Sequence, residues 1–233
     1  MLKIAGFIKT SLLDYPQKIA SVIFLAGCNF TCPFCHNPEL VKREETTVTR
    51  KQILWTEIKD YLQVAYPKLI DGVCISGGEP TLEPKMLKDL IERLKTIGLL
   101  VKLDTNGSHP DLLNQLPLDY LALDLKTSLE RYSELTPLSN IAAKIKASLQ
   151  YLQNKAAYDY EFRTTLVPGI VGTREIEAIG QLIAGSKAPW ILQHYRNKQV
   201  LALDYQTISP YTHQETQQLV KCAQQYVPEV FLR

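Results

Sequence analysis

The sequence lacks the features that mark membrane-spanning and nucleic-acid-binding chains. No stretch approaches eighteen consecutive apolar residues, so no transmembrane helix is predicted. The 26 Lys and Arg residues nearly balance the 24 Asp and Glu residues, and no basic run occurs, so charge does not indicate nucleic-acid binding. Asp14 and Pro16 leave the first segment with too short an apolar core for a signal peptide. These absences predict a cytoplasmic chain.

The five cysteines are a poor set for disulfides, because their number is odd and three are clustered. Cys74 and Cys222 lie apart in apolar stretches and are predicted to be small buried hydrophobic residues. Cys28, Cys32 and Cys35 are close enough in sequence to bind one compact metal centre. Iron–sulfur clusters normally have four cysteine ligands. Three clustered cysteines therefore suggest a cluster with one iron open to a substrate atom.

Short β-branched runs alternate with helical patterns along the whole chain. Such alternation predicts an α/β fold with parallel strands and helical crossovers, either a barrel or an open doubly wound sheet. No linker-like segment divides the chain, so residues 1–233 are predicted to form one domain. Six strands are predicted at 20–27, 72–76, 99–105, 120–126, 160–167 and 190–196, with a short seventh near 229–233. The main helices are predicted at 49–66 (with Thr49 as N-cap), 84–96, 139–154, 173–184 and 213–226.

Polar residues follow most of the predicted strands, at their carboxyl ends. In barrels of alternating strands and helices, catalytic groups gather on this face. Six elements that supply polar groups to one rim are hard to explain by turns alone, so the pattern predicts a functional site. The residues concerned are Cys28, SGGEP at 76–80, DTNG at 104–107, DLK at 124–126, Arg163 with Thr164 and Thr165, and Gln193 with His194 and Tyr195.

Each of these residues also has a purely structural explanation. The glycine pair at 77–78 could be a tight turn, and Glu79 could be a first-turn residue that the helix dipole favours. Asp104 and Asn106 could shape a turn, with Gly107 at positive φ. Asp124 and Lys126 could form an ion pair on one strand face, and His194 could be a core histidine. Because these residues occur together with the cysteine motif, a functional site explains the whole set better than separate structural roles do.

These residues resemble a known family. The spacing Cys28, Cys32, Cys35, with Phe34 before the last cysteine, resembles the motif of the radical S-adenosylmethionine (SAM) superfamily, and GGEP at 77–80 resembles its second motif. The strings LDTNG, LALDLK and FRTTLVPG resemble the activating enzymes of glycyl-radical enzymes. SLLDYP and CPFCHNPEL are most similar to activases of anaerobic ribonucleoside-triphosphate reductase, with pyruvate formate-lyase activases as near relatives.

The resemblance implies a partial (β/α)6 barrel and one [4Fe–4S] cluster held by Cys28, Cys32 and Cys35. The open iron would bind SAM, and one electron from the cluster would cleave SAM to methionine and a 5′-deoxyadenosyl radical. That radical would remove a hydrogen atom from a glycine of a partner protein. The partner implied is a glycyl-radical enzyme, with flavodoxin or ferredoxin as the electron donor.

The resemblance also implies roles for residues around SAM. Gly77, Gly78 and Glu79 would lie at the methionine amino group. Asp124 and Lys126 would lie at the ribose and the methionine carboxylate, and Asp104, Thr105 and Asp124 resemble a site for a monovalent cation. The remaining residues that the resemblance assigns to the site are Phe34 and His36 near adenine, His194 near SAM and Arg163 towards the substrate peptide. A core aromatic is an equal alternative for Phe34.

Two other functions fit part of the pattern. Cys28, Cys32, Cys35 and His36 could bind structural zinc, although the adjacency of Cys35 and His36 makes a tetrahedral site awkward. Metal analysis that finds zinc without sulfide would support that alternative. A radical SAM enzyme acting on a small molecule or a peptide would share the cysteines and GGEP. It would turn over without a glycyl-radical partner.

Overall fold

The structure, a computed structural model, describes residues 3–41 and 53–233. The chain divides into two compact units. The first comprises Met1–Asn29, Glu39–Thr105 and Asp111–Leu121, and the second comprises Phe30–Pro38, Asn106–Pro110 and Ala122–Arg233. Both units alternate strands with helices, which confirms the predicted α/β class. The single domain over 1–233 stays a prediction.

The first unit is built on a mixed sheet whose strands follow chain order. Strand β1 (Ile4–Ser11) is antiparallel to β2 (Ala20–Leu25), whereas β3 (Gly72–Gly77) and β4 (Leu100–Thr105) continue the sheet in parallel. The sequence predicted β2, β3 and β4 but missed β1. The reason is visible in its burial, since only Ile4 of β1 is buried and the strand shows no clear apolar face.

The helices of this region begin with α1 (Pro38–Val41) and α2 (Trp55–Ala65). The described part of the predicted helix 49–66 is α2, and Thr49 lies outside the described residues. Helix α3 (Pro84–Ile97) buries four leucine and isoleucine side chains at helical spacing and ends at Gly98, whose φ is 100°. Glycine takes this left-handed conformation without a Cβ penalty, so the predicted helix end is confirmed. Helix α4 (Pro110–Leu113) is a single turn.

The second unit has parallel strands. The carboxyl end of strand β5 (Tyr120–Asp124) belongs to this unit. The strands that follow in the chain are β6 (Asp159–Leu166), β7 (Trp190–His194) and β8 (Val230–Leu232). Strands β6, β7 and β8 pair in parallel, and the Leu125 N–H donates to the Arg163 carbonyl at 2.7 Å. All four were predicted, including the short last strand.

Four helices connect or follow these strands, namely α5 (Ile141–Lys155), α6 (Thr173–Ile183), α7 (Leu203–Thr207) and α8 (His213–Ala223). A 3-10 segment, Leu129–Glu134, precedes α5. Helix α8 begins with a capping box, in which Thr212 and Glu215 bond each other's backbone N–H groups. Among the described residues, no helix has the length and apolar character that crossing a membrane requires.

Parallel pairing gathers the strand ends within each unit. In the first unit Leu25 pairs with Gly77, so Cys28 and the GGEP motif leave the same edge of the sheet. In the second unit Leu166 pairs with His194. Ligand sites of parallel sheets lie outside the carboxyl ends of the strands. The sequence motifs therefore fall where such a site is expected.

Candidate active site

In the first unit, Cys28 is fixed by backbone contacts. Gly27 precedes it with φ 96° and donates its N–H to the Leu40 carbonyl at 2.7 Å, while the Cys28 N–H lies 3.3 Å from the Val41 carbonyl. The residue is partly exposed. Its thiol is therefore on a defined backbone and remains accessible to a ligand.

The glycine pair packs against the backbone that leads to Cys28. The Gly78 N–H donates to Leu25 at 2.9 Å, and the Glu79 N–H donates to Gly27 at 2.8 Å. A Cβ atom on Gly78 would lie 2.0 Å from the Gly27 carbonyl oxygen, and one on Gly77 would lie 2.3 Å from the Leu25 oxygen. Only glycine allows this close approach of two backbone segments. The packing therefore requires glycine at both positions, in addition to any role in the turn.

Glu79 is almost fully buried, and its Oε1 atom is an acceptor for two threonines. The Thr81 N–H and hydroxyl donate to it at 3.0 and 2.5 Å, and the Thr105 hydroxyl donates at 2.8 Å. These bonds join the GGEP turn to the end of β4. Glu79 is the N-cap of the 3-10 turn Pro80–Leu82, so it precedes the first turn in which the structural alternative put it.

Asp104 and Thr105 are buried at the end of β4. Asp104 forms an ion pair with Lys102, which lies on the same strand and is 1% exposed. Lys102 is a residue that sequence reasoning missed. The available signal was a lysine inside the apolar run LLVKLDT.

In the second unit, the other two cysteines lie on a loop held by backbone bonds. The Cys35 N–H donates to the Cys32 carbonyl at 3.0 Å, which forms a tight turn. Leu201 and Ala202 donate to the carbonyls of Cys35 and Pro33 at 3.1 and 2.9 Å. Phe34, between the cysteines, is 4% exposed, which fits the core-aromatic alternative.

A buried tyrosine connects this loop to the strand β5 region. Tyr132 is fully buried, its ring meets Phe30 edge to face at 6.2 Å, and its hydroxyl accepts the Lys126 N–H at 3.1 Å. Close by, the Thr31 N–H donates to the Leu135 carbonyl at 2.8 Å. No motif in the sequence singled out Tyr132.

Asp124 lies between two cations. Arg163 Nε donates to its Oδ1 at 2.8 Å, and Lys126 Nζ donates to its Oδ2 at 3.1 Å. The ion pair between residues 124 and 126 that the sequence allowed is thus present. Burial alone would lower the pKa of Lys126, but the Asp124 carboxylate and the Cys32 sulfur raise it. Lys126 therefore stays a cation next to Cys32.

Burial raises the pKa of the Cys32 thiol from 9.0 to about 11, and the Lys126 ammonium opposes that rise. The metal-free thiol is consequently protonated at neutral pH. A metal ion binds cysteine as the thiolate, so metal binding must displace this proton. On balance burial disfavours the Cys32 thiolate, and the Lys126 ammonium offsets part of that cost.

The two histidines of the prediction differ in environment. The His36 ring lies 6.2 Å from that of Tyr195, and burial followed by the Arg196 guanidinium lowers the pKa of His36. His194 is exposed at the end of β7, so the core-histidine alternative is wrong. Its backbone N–H donates to the Arg233 carbonyl at 2.7 Å.

Residues 22–178, more than half of the chain, match the radical SAM superfamily. The chain belongs to this superfamily. The radical SAM chain is 30% identical to a Methanocaldococcus jannaschii protein provisionally named a glycyl-radical enzyme activating enzyme, with 99% of this chain and 95% of that protein aligned. It is also 30% identical to the pyruvate formate-lyase-activating enzyme of Listeria monocytogenes, over 59% of this chain and 58% of the relative.

A solved structure supports the fold. The structure of TYW1 with a lysine-pyruvate adduct has a TM-score of 0.63, covers 89% of this chain and 74% of its own, and is 19% identical. At this identity the likeness concerns the fold alone. With the family match, it confirms the predicted partial barrel of the radical SAM type.

A radical SAM enzyme uses SAM and a [4Fe–4S] cluster, and the residues present fit both. Three thiols, two of them partly exposed, provide the soft donors that iron–sulfur clusters require. Gly78 lets the GGEP turn pack directly against the backbone at Gly27 and Cys28, and Lys126 keeps a positive charge near Cys32. Within residues 3–41 and 53–233, no three His, Cys, Asp or Glu side chains form a group suited to a single metal ion. Structural zinc stays an alternative prediction from the sequence.

Proposed function

We propose that this radical SAM enzyme activates a glycyl-radical enzyme, and that its partner is anaerobic ribonucleoside-triphosphate reductase. The observation that supports activation most strongly is the alignment with the Methanocaldococcus jannaschii relative, which spans nearly the whole length of both chains. The choice of reductase rests on the strings SLLDYP and CPFCHNPEL. Pyruvate formate-lyase is the alternative partner, consistent with the Listeria relative.

The cluster would be held by Cys28, Cys32 and Cys35. When bound, cluster and SAM supply the electron and the adenosyl group needed to remove a hydrogen atom from glycine. Loss of the Cys32 proton is the step that this chain must allow before metal binds, because the buried thiol starts protonated. The Lys126 ammonium lowers the cost of the resulting thiolate.

The protein's own side chains would orient SAM by charge and by shape. Gly77 and Gly78 would present backbone to the methionine amino end, with Glu79 fixed by its threonine bonds. Lys126 is a compact point charge suited to a carboxylate, and Asp124 would hold it in place. Phe34 and His36 near adenine and His194 near SAM keep the roles that the resemblance implies, as part of this proposal. Asp104 and Thr105 would lie beside the methionine carboxylate.

The proposed activity also requires a protein substrate and an electron donor. Arg163 would face the substrate loop while it holds Asp124. A flavodoxin or ferredoxin would supply the low-potential electron, and a reducing cytoplasm would keep the three thiols reduced. The resemblance also implies a monovalent cation beside Asp104.

The first experiment tests SAM cleavage. Protein reconstituted with iron and sulfide under anaerobic conditions, then given dithionite and SAM, should form 5′-deoxyadenosine. The Cys32→Ala variant should form none, because a cluster ligand is lost, whereas Cys222→Ala should match the wild type. Normal SAM cleavage by Cys32→Ala would refute the ligand assignment.

The second experiment tests the partner. Addition of anaerobic ribonucleoside-triphosphate reductase to the reconstituted enzyme, SAM and dithionite should give the EPR doublet of a glycyl radical. A doublet with pyruvate formate-lyase but not with the reductase would favour the alternative partner. Active SAM cleavage without a doublet from either competent partner would favour a small-molecule substrate.

A further inference from the structure

Lys102 occupies an unusual place for a lysine. It lies in the middle of β4, its side chain is 1% exposed, and its Nζ atom is 3.8 Å from the Cys74 sulfur. Residues two apart on a strand share a face, so Lys102 and Asp104 point to the same side of the sheet. Their ion pair is the contact that makes a lysine acceptable there.

Burying this ammonium without a counter-charge would cost several kcal/mol, and the same holds for the Asp104 carboxylate. Together the two groups are neutral. Asp104, at 8% exposure, therefore has a protein cation within hydrogen-bonding distance before any metal ion arrives.

The second carboxylate of the predicted cation site is also neutralised, within the second unit. Asp124 accepts from Arg163 through Oδ1 and from Lys126 through Oδ2. A metal cation added beside either carboxylate would meet a group that already has a cationic partner. The residues present therefore do not fit a site that needs K⁺ or Na⁺ to balance its charge.

We propose that Lys102 is a built-in cation for Asp104, and that SAM binding by this enzyme is independent of monovalent metal ions. Lys102 is a positioning residue in this account, because it acts on SAM through Asp104. The proposal rests on SAM binding, which the family implies, and not on the identity of the partner protein.

The test uses the cluster-loaded protein and measures the SAM dissociation constant from the change in the EPR spectrum of the reduced cluster. Tetramethylammonium salt keeps the ionic strength constant while K⁺ or Na⁺ replaces it. The wild-type dissociation constant should change by less than about twofold between the salts. A wild-type enzyme whose SAM binding tightens about tenfold or more with K⁺ or Na⁺ would overturn the proposal.

The variant Lys102→Met removes the ammonium and keeps an unbranched apolar stem. Its SAM binding should weaken about tenfold in tetramethylammonium salt and should recover when K⁺ or Na⁺ is added. Lys102→Arg should stay independent of the salt, because the charge remains. A folded Lys102→Met that binds SAM equally in all salts would contradict the proposal.

Lys95→Met is the matched control, since Lys95 also pairs with a carboxylate, Asp119, but is one-third exposed. It should behave as the wild type in every salt. Should Lys102→Met fail to fold, the double variant Lys102→Met/Asp104→Asn removes both charges, and K⁺ should leave its SAM dissociation constant unchanged. Recovery by K⁺ in that double variant would also contradict the proposal. SAM binding without glycyl-radical formation would count against the proposed partner alone.

Discussion

The two units hold their site residues by different means. In the first, Gly78 and Glu79 bond to the backbone that leads to Cys28, and a Cβ atom on Gly78 would meet the Gly27 oxygen at 2.0 Å. In the second, the Asp124 carboxylate holds Lys126 and Arg163 by charge, and the three side chains are 13% to 22% exposed. Shape decides the first arrangement, and electrostatics decides the second.

This difference predicts different responses to substitution. A backbone contact leaves no room for adjustment, so one added methyl group should disturb everything attached to it. A cluster of partly exposed charges can rearrange and exchange partners with water or ligand. Substitutions at the two kinds of contact should therefore differ in their effect on the free energy of unfolding.

Gly78→Ala should have the largest effect. The added Cβ atom overlaps the Gly27 carbonyl, so the unfolding free energy should fall by about 3 kcal/mol or more, and SAM binding should be lost. Urea denaturation of the metal-free protein measures the first effect. Gly172→Ala is the control, because its Cβ atom would make only ordinary contacts, the nearest at 3.5 Å. Equal stability of the two variants would contradict the shape argument.

Cys32 should make stability depend on pH. Its pKa is about 11 in the folded protein and 9.0 without burial, so the unfolded chain loses its proton first as pH rises. The stability of the metal-free protein should therefore fall between these values, by about 2 to 3 kcal/mol relative to Cys32→Ala. Chemical denaturation at several pH values measures the difference. Parallel pH curves for both proteins would show that Cys32 is not buried as described.

Tyr132→Phe removes a hydroxyl and keeps the ring contact with Phe30. The Lys126 N–H then loses its acceptor, which should cost about 1 to 2 kcal/mol. Because Lys126 is displaced and the cysteine loop is not, KM for SAM should rise several-fold with little change in kcat or in cluster content. A loss of cluster with unchanged KM would show instead that Tyr132 serves the loop.

Arg174→Ala should have the smallest effect. Its pair with Glu130 joins side chains that are 82% and 79% exposed, and exposed pairs contribute little. The unfolding free energy should change by less than about 0.5 kcal/mol, as measured by urea denaturation. A loss comparable with that of Tyr132→Phe would mean that charge also matters outside the site.

The secondary structure predicted from the sequence was most accurate where the local residue types favour only one conformation. Strand β3 is buried along its apolar run GVCI, and α3 stops at Gly98, whose left-handed conformation suits glycine. Antiparallel β1 was missed, because its exposed outer residues and Gly6 remove the alternation that marks a strand. Its place in the sheet depends on pairing with β2, a nonlocal interaction.

For the site, the sequence supplied candidate residues but not their partners. The pairing of Asp124 with Lys126 was foreseen as one alternative, since two-residue spacing puts both on one face. The contacts of Tyr132 and Lys102 could not be foreseen in the same way. They depend on neighbours far away in sequence, such as Phe30 and Cys74.

The backbone bonds of the cysteine loop have a consequence for biosynthesis. Pro33 and Cys35 receive their hydrogen bonds from Ala202 and Leu201, which leave the ribosome long after the thiols do. A nascent chain that has displayed its three-cysteine motif still lacks the partners that fix the loop. We therefore expect iron and sulfide to be delivered late, to a chain that is nearly complete.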